Sequence, residues 1–357
     1  MWGTAEDLPA LVATVVTDVG QAPTLRFRIL QITDMHYTGR QHYPCRDPPQ
    51  KHIERHLPCT ESKMTEFIGY LLDTVEPDFV VFTGDQIEAI EVEQSPQQVV
   101  QAIQAATSEV VKRNLPWSIV FGNHDEGRTM TRTEMLGHYQ DLPFGFVQAG
   151  PAEIGGVGNY ALAVHAPEEG PWYAHKSFKP LLRLYFMDSG RGLFSPAQVE
   201  YMTYLSAATF HEHVPALMFF HHPLHEFAAF KDSMGQGTQG EKVSAGAVNT
   251  GMFDAITQMG DVKGVFVGHD HFNDYCFEKE SVHLCYGGGV GYGAAYSYKD
   301  LHRKARVIEW TWTAEEERIV TWLHEDPTTG GKVSAKYDVF GRKHGKGNLR
   351  DAYKRTN

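Results

Sequence analysis

Two kinds of patterned stretch alternate along the chain. Short apolar runs rich in β-branched and aromatic residues cover Leu25–Thr33, Pro77–Thr83, Trp117–Phe121, Leu182–Asp188, Pro215–Phe220 and Val262–Val267, and each ends in a polar or glycine-containing turn. Between many of them lie stretches with helical periodicity, notably Ser62–Val75, Pro96–Arg113, Ser195–Ala208 and Ala247–Met259. Strands alternating with helices predict an α/β layered fold. The later segments Asn159–Val164, Phe272–Phe277, Ser281–Tyr286, Ala305–Trp312 and Arg318–Leu323 read as further strands with fewer helices between them. That asymmetry predicts two sheets packed together with helices outside.

No internal repeat or linker divides the pattern, so a single domain is expected over residues 24–325, with extensions at 1–23 and 326–357. Two stretches, Tyr37–Glu61 and Glu226–Val243, read as long surface loops, which in compact domains are often functional. From Lys332 to Asn357 there are eight Lys or Arg against two Asp. This basic end is expected to be a solvated extension rather than an arm that binds a partner.

The strand endings carry the chemistry. Leu25–Thr33 ends in Asp34-Met35-His36, Pro77–Thr83 in Gly84-Asp85, and Trp117–Phe121 in Gly122-Asn123-His124-Asp125. Pro215–Phe220 ends in His221-His222-Pro223, and Val262–Val267 in Gly268-His269-Asp270-His271. Open α/β sheets place their sites at the carboxyl ends of strands. One Asp or His there is ordinarily a turn former or a surface residue. Five such endings, all with oxygen or nitrogen donors and no thiolate, suit borderline divalent ions such as zinc, manganese and iron. The set is large enough for two ions.

Composition narrows the ligand. Over 357 residues the net charge is −12, which argues against a general affinity for nucleic acid or anionic membrane. An anionic phosphate would then need local positive charge, which metal ions supply. No apolar run approaches the length of a spanning helix, and no signal peptide is legible. An intracellular home is therefore the first expectation, with a secreted or vacuolar one if a leader has been removed. The four cysteines form two local pairs, Cys45 with Cys59 and Cys276 with Cys285, which suit disulfides or, alternatively, buried free thiols.

The ordered series Asp-x-His, Gly-Asp, Gly-Asn-His-Asp, His and Gly-His-x-His resembles the calcineurin-like metallophosphoesterase superfamily over about residues 28–275. The resemblance implies a four-layer α/β sandwich of two mixed sheets flanked by helices. It implies that Asp34, His36 and His271 bind a first metal, that Asn123, His221 and His269 bind a second, and that Asp85 bridges both. His124 would sit over the substrate as general acid, oriented by Asp125. A hydroxide bridging two divalent ions (manganese, zinc or iron) about 3.5–4 Å apart would attack the phosphorus.

Further matches at Gly158-Asn159-Tyr160, Leu184 to Gly190, Gly268 to Cys276 and Cys285 to Gly289 resemble single-domain plant and fungal phosphatases grouped with the purple acid phosphatases. Those enzymes carry a tyrosine ligand three residues after the bridging Asp. Here that position is Glu88, so tyrosinate-to-iron colour is not expected.

The expected substrate is a phosphate monoester, on a small molecule or a phosphoprotein. A diesterase acting on cyclic nucleotides or phospholipid headgroups is the alternative. A non-catalytic metal-binding scaffold and a zinc hydrolase of other bonds are further readings. Arg40, His42, Tyr43, Arg128 and Arg132 follow the motifs closely and could bind phosphate, as could His222 ahead of His225. Gly287–Gly293 is expected to form a tight turn near the site.

Overall fold

The computed structural model describes residues 10–17, 22–168, 180–296 and 301–344. Two sheets form. An eight-stranded sheet runs, edge to edge, through Leu11–Val12, Tyr160–His165, Pro180–Phe186, Ala216–Phe219, Val262–Val267, Val282–Tyr286, Cys276–Lys279 and Gly235–Gln236. A seven-stranded sheet runs through Tyr337–Lys343, Glu316–Glu325, Lys304–Trp312, Thr24–Ile32, Phe79–Thr83 and Trp117–Val120, with Thr14–Val16 pairing beside Thr24–Ile32. Both are mixed. The strands that end in the motifs pair in parallel within each sheet, and hairpins such as Lys304–Trp312 with Glu316–Glu325 add antiparallel edges.

Period-two alternation decides which layer each side chain enters. In Phe79–Thr83, Phe79 and Val81 face a core between the sheets, shared with Ile29, Leu184, Leu217 and Ile308. Val80 and Phe82 face the opposite way, onto Phe67 and Leu71 of helix Ser62–Val75 and Val99 and Ile103 of helix Pro96–Lys112. A third core joins Met218, Val265 and Leu284 to Met202 of helix Pro196–Thr209 and Ile256 of helix Met252–Met259. Three apolar layers between four structural layers give the expected sandwich.

The helices start where local chemistry dictates. Ser95 and Ser195 each accept from the backbone N–H three residues on, with a glutamine returning the bond and a proline in the first turn. Each is a capping box, which satisfies two otherwise orphaned N–H groups.

Several expected boundaries move. The sheets reach past 24–325 at both ends, because Leu11–Val12 pairs with Val164 and His165, and Tyr337–Lys343 pairs with Glu316–Thr321. Val339 is buried between the sheets, and Lys336 and Arg342 pair with Glu309 and Glu317, so this basic segment is not a solvated extension up to His344. The rest of it lies outside the described residues. The helix expected from Ala247 begins at Met252, after Gly251 at φ 75°. The strand expected from Phe272 begins at Cys276, because Phe272, Asn273 and Asp274 instead bond to the 238–241 segment. Both cysteine pairs form disulfides, Cys45–Cys59 stapling the Tyr37–Glu61 loop and Cys276–Cys285 joining adjacent strands.

Candidate metal centre

The carboxyl ends of the motif strands from the two sheets converge on one rim. Backbone bonds hold the two rims in register: Asp34 N–H donates to Gly84 O (3.1 Å), His36 N–H to Asp85 O (2.8 Å), and Gly268 N–H to His221 O (3.1 Å). Gln31 ties the sheets together by donating to Val267 O and Thr83 Oγ1. Four expected ligands have left-handed backbone: Asp34 (φ 56°), His36 (54°), Asp85 (53°) and His269 (74°). This conformation is uncommon outside glycine and clusters at functional sites. The motif glycines are explained by space. A Cβ on Gly122 would lie 2.1 Å from Asp85 Oδ1, and one on Gly84 would lie 2.2 Å from His221 Nδ1.

All seven expected ligands face the same cleft. On one side, one donor atom each from Asp34, His36 and His271 lie within 4.8 Å of one another. His36 Nε2 is 3.2 Å from His271 Nε2, and His271 Nε2 is 3.6 Å from Asp34 Oδ1. On the other side, Asp85, His221 and His269 form an equivalent group, with Asn123 Oδ1 3.1 Å from His221 Nε2. Asp85 Oδ2 lies between the groups, 3.7 Å from His36 Nε2 and 3.1 Å from His221 Nε2. Its other oxygen accepts from the His124 N–H at 2.8 Å.

This donor set fits two cations. His221 Nδ1 sits 2.9 Å from Thr83 O and must donate there, which leaves the Nε2 lone pair facing Asp85 and Asn123 oxygens. His36 Nδ1 lies 2.9 Å from Glu88 Oε2, and its Nε2 likewise faces acceptors. Acceptors converging without protons repel unless cations lie between them, and outer hydrogen bonds of this kind orient metal-binding imidazoles. Protons can take the cations' place. Burial lowers the basicity of His36, but Glu88, Asp85 and Asp34 outweigh it and raise its pKa to about 9. For His221 burial likewise opposes, and Asp85 and Asp34 raise the pKa to about 9. Burial would push the Asp85 carboxyl up, yet His221, His36 and His124 hold it well below the usual range. His269 behaves oppositely, held down to about 3 by burial and the neighbouring His221.

Several sequence expectations about supporting residues fail. Asp125 does not orient His124. Its buried carboxylate accepts instead from the backbone N–H groups of Gly122 (2.6 Å), Asp85 (3.0 Å) and Ile87 (3.0 Å), so it shapes the loop that carries Asp85. The carboxylate on His124 is Glu88, with Oε2 2.8 Å from Nδ1. The sequence reading treated Glu88 only as a missing tyrosine.

Arg40 is exposed and donates to Glu93 O, and Arg128 is exposed as well. Arg132 is committed to Asp188 and Gly122 O, which removes it from the phosphate candidates. His222 is buried, with its ring centroid 3.8 Å from that of His269, whereas His225 is exposed. Burial, with His269 and His221 nearby, lowers the His222 pKa to about 2. Tyr296 was not foreseen: it stacks on His271 at 4.3 Å and donates to Asp34 O at 2.6 Å. The glycine-rich turn does lie at the site, since a Cβ on Gly291 would meet Asp34 O at 2.6 Å.

The model of the calcineurin-like phosphoesterase family matches residues 27–273. The chain belongs to that family. "Probable inactive purple acid phosphatase 29" of Arabidopsis thaliana is 34% identical over 309 residues, which are 79% of this chain and 76% of that protein. "Phosphatase DCR2" of Saccharomyces cerevisiae is 29% identical over 325 residues, 83% of this chain but 53% of the yeast protein. Among solved structures, a dimetal phosphatase from Danio rerio superposes with a TM-score of 0.54 at 12% identity, covering 88% of this chain and 98% of that one. At that identity the likeness concerns the fold alone. Among the described residues no helix is long and apolar enough to cross a membrane.

Proposed function

We propose that the chain hydrolyses phosphate monoesters at a centre of two divalent metal ions. The observation that carries this reading is the position of Asp85 Oδ2 between two complete donor groups, with His124 beside them and not spent on either. Asp34, His36 and His271 would hold the first ion, Asn123, His221 and His269 the second, and Asp85 both. Bound ions would supply the charge that neutralises phosphoryl oxygens and lowers the pKa of water. The chain's own residues do the rest. Asp85 stays ionised beside its imidazole partners and, through His124 N–H, fixes the backbone that presents His124. The His124 side chain is 21% exposed, and with Nδ1 turned to Glu88 its Nε2 faces the cleft. From there it would protonate the leaving oxygen as general acid.

A second reading, a metal-binding protein without catalysis, is favoured by the names of three plant relatives, which call those proteins probably inactive. Against it stand the complete ligand set and a buried carboxylate holding His124, a residue that metal storage alone would not need. The two disulfides favour a secreted or vacuolar setting over the intracellular expectation. The test is to strip the chain, reload it with manganese, zinc or iron, and assay a panel of phosphomonoesters, phosphopeptides and diesters. Metal-dependent turnover of monoesters is expected. Turnover confined to diesters overturns the substrate class, and none with both ions bound overturns catalysis.

A further inference from the structure

Glu88 has more to do than fill the place of a tyrosine. Its carboxylate is fully buried and faces four hydrogen-bond donors from two directions. From the chain ahead, the backbone N–H groups of Ile90 and Glu91 donate to Oε1 at 2.9 and 2.7 Å, which pins the group to its own turn. From the cleft, His36 Nδ1 and His124 Nδ1 reach Oε2 at 2.9 and 2.8 Å, and His124 Nδ1 also lies 3.0 Å from Oε1. The two rings stand edge to face with centroids 4.9 Å apart. The three side chains could be counted as a metal site by proximity. The hydrogen bonding argues otherwise, because the same carboxylate already accepts from two backbone N–H groups. His36 also turns its remaining nitrogen to Asp34, Asp85 and His271.

We propose that Glu88 is a positioning residue, one carboxylate that sets both a first-site metal ligand and the proton donor. This rests on the function proposed above and deepens it. A carboxylate accepting from both Nδ1–H groups fixes both rings in the tautomer whose Nε2 is free. His36 then offers its lone pair to the first ion, and His124 keeps its Nε2 for the substrate. Because the rings share Oε2, a change that shifts one moves the acceptor of the other. Metal affinity at one site and protonation of the leaving group are thereby set by a single side chain, anchored by backbone rather than by another mobile group.

Glu88→Gln is the direct test. The amide keeps shape but has one oxygen: with that oxygen held by the Ile90 and Glu91 N–H groups, its NH2 turns to the two rings and can accept from neither. Measured by chelator competition starting from the metal-free chain, one of the two ions should bind roughly 10–100-fold more weakly while the other changes little. In the loaded protein, turnover of an alkyl phosphate should fall by a larger factor than that of an aryl phosphate. His124→Gln should reproduce that ratio without the change in metal affinity. Nitrogen NMR of the zinc-loaded chain should show both rings with Nδ1–H in the parent and both altered in Glu88→Gln.

Equal weakening of both ions, no weakening of either, or equal loss on both substrates would overturn the proposal. Should Glu88→Gln fail to fold, Glu88→Asp keeps the charge but is one methylene too short to span both rings. It should show the same losses, and parent-like affinity and substrate ratio would overturn the proposal. If the parent binds two ions and turns over no ester, the functional reading fails, while the affinity and NMR measurements still decide the clamp.

Discussion

The two halves of the candidate metal centre use similar donors but support them differently. In the first half, His36 leans on a buried carboxylate, and Asp34 and His271 lean on Tyr296. In the second, His221 leans on the neutral carbonyl of Thr83, and His269 stacks against His222. An anionic partner raises the basicity of a metal-binding imidazole more than a carbonyl does. On the proposed reading the first half is built to keep its ion, and the second sets His221 beside a His269 that burial makes less basic.

The largest effect expected concerns proton delivery. His124→Gln should cost an alkyl phosphate roughly 100- to 10,000-fold in turnover and an aryl phosphate far less, because a nitrophenolate leaves without a proton. Metal content should stay at the parent level. Steady-state rates on the two substrates check this, and loss of an ion would reassign His124 as a ligand of the first half.

Next comes the order in which the ions leave. During graded chelation the second-half ion should depart first, with affinities differing roughly 10–100-fold. His269→Asn should empty the second half and spare the first. Simultaneous release of both ions at one chelator concentration would remove the contrast between the halves.

The metal-free chain should show the same contrast in its pH dependence. His36 and His221, raised to about 9 against an ordinary 6.5, contribute stability that is full below pH 6.5 and lost as pH rises through 9. His269 and His222, lowered to about 3 and 2, contribute stability present above pH 6.5 and lost as pH falls below it. Melting temperature should therefore peak near pH 6.5. Metal ions should flatten the alkaline side, since bound imidazoles must be neutral anyway. A monotonic profile in the metal-free chain would contradict these assignments.

The smallest effect is at Tyr296. Tyr296→Phe removes the hydroxyl that donates to Asp34 O and accepts from the Gly291 N–H, each bond worth about 1 kcal/mol. A modest fall in melting temperature and a few-fold weaker first ion are expected, with iron-loaded protein colourless in parent and variant alike. A visible tyrosinate band in the parent that vanishes in Tyr296→Phe would make Tyr296 a ligand.

The donors that converge on the cleft were legible because each sits near a strand end, where apolar periodicity stops and a donor begins. The four-layer sandwich was legible for the same reason, through alternation in strands such as Phe79–Thr83. What was not legible depends on distance in sequence or on backbone partners. Nothing local distinguishes Asp125, which accepts from three N–H groups, from a carboxylate that holds a neighbouring ring. Glu88 lies 36 residues from His124 and 52 from His36. Only the parallel pairing of Thr24–Ile32, Phe79–Thr83 and Trp117–Val120 brings the three together. The edge strands Leu11–Val12 and Tyr337–Lys343 carried too little apolar pattern to be read, being held by backbone pairing more than by burial.

The central claim is that Asp85 serves both halves at once, and metal content per chain tests it most directly. Elemental analysis of the parent should find two ions, and Asp85→Asn should lose both together with turnover. One ion in a fully active parent, or an Asp85→Asn chain that keeps two, would contradict it.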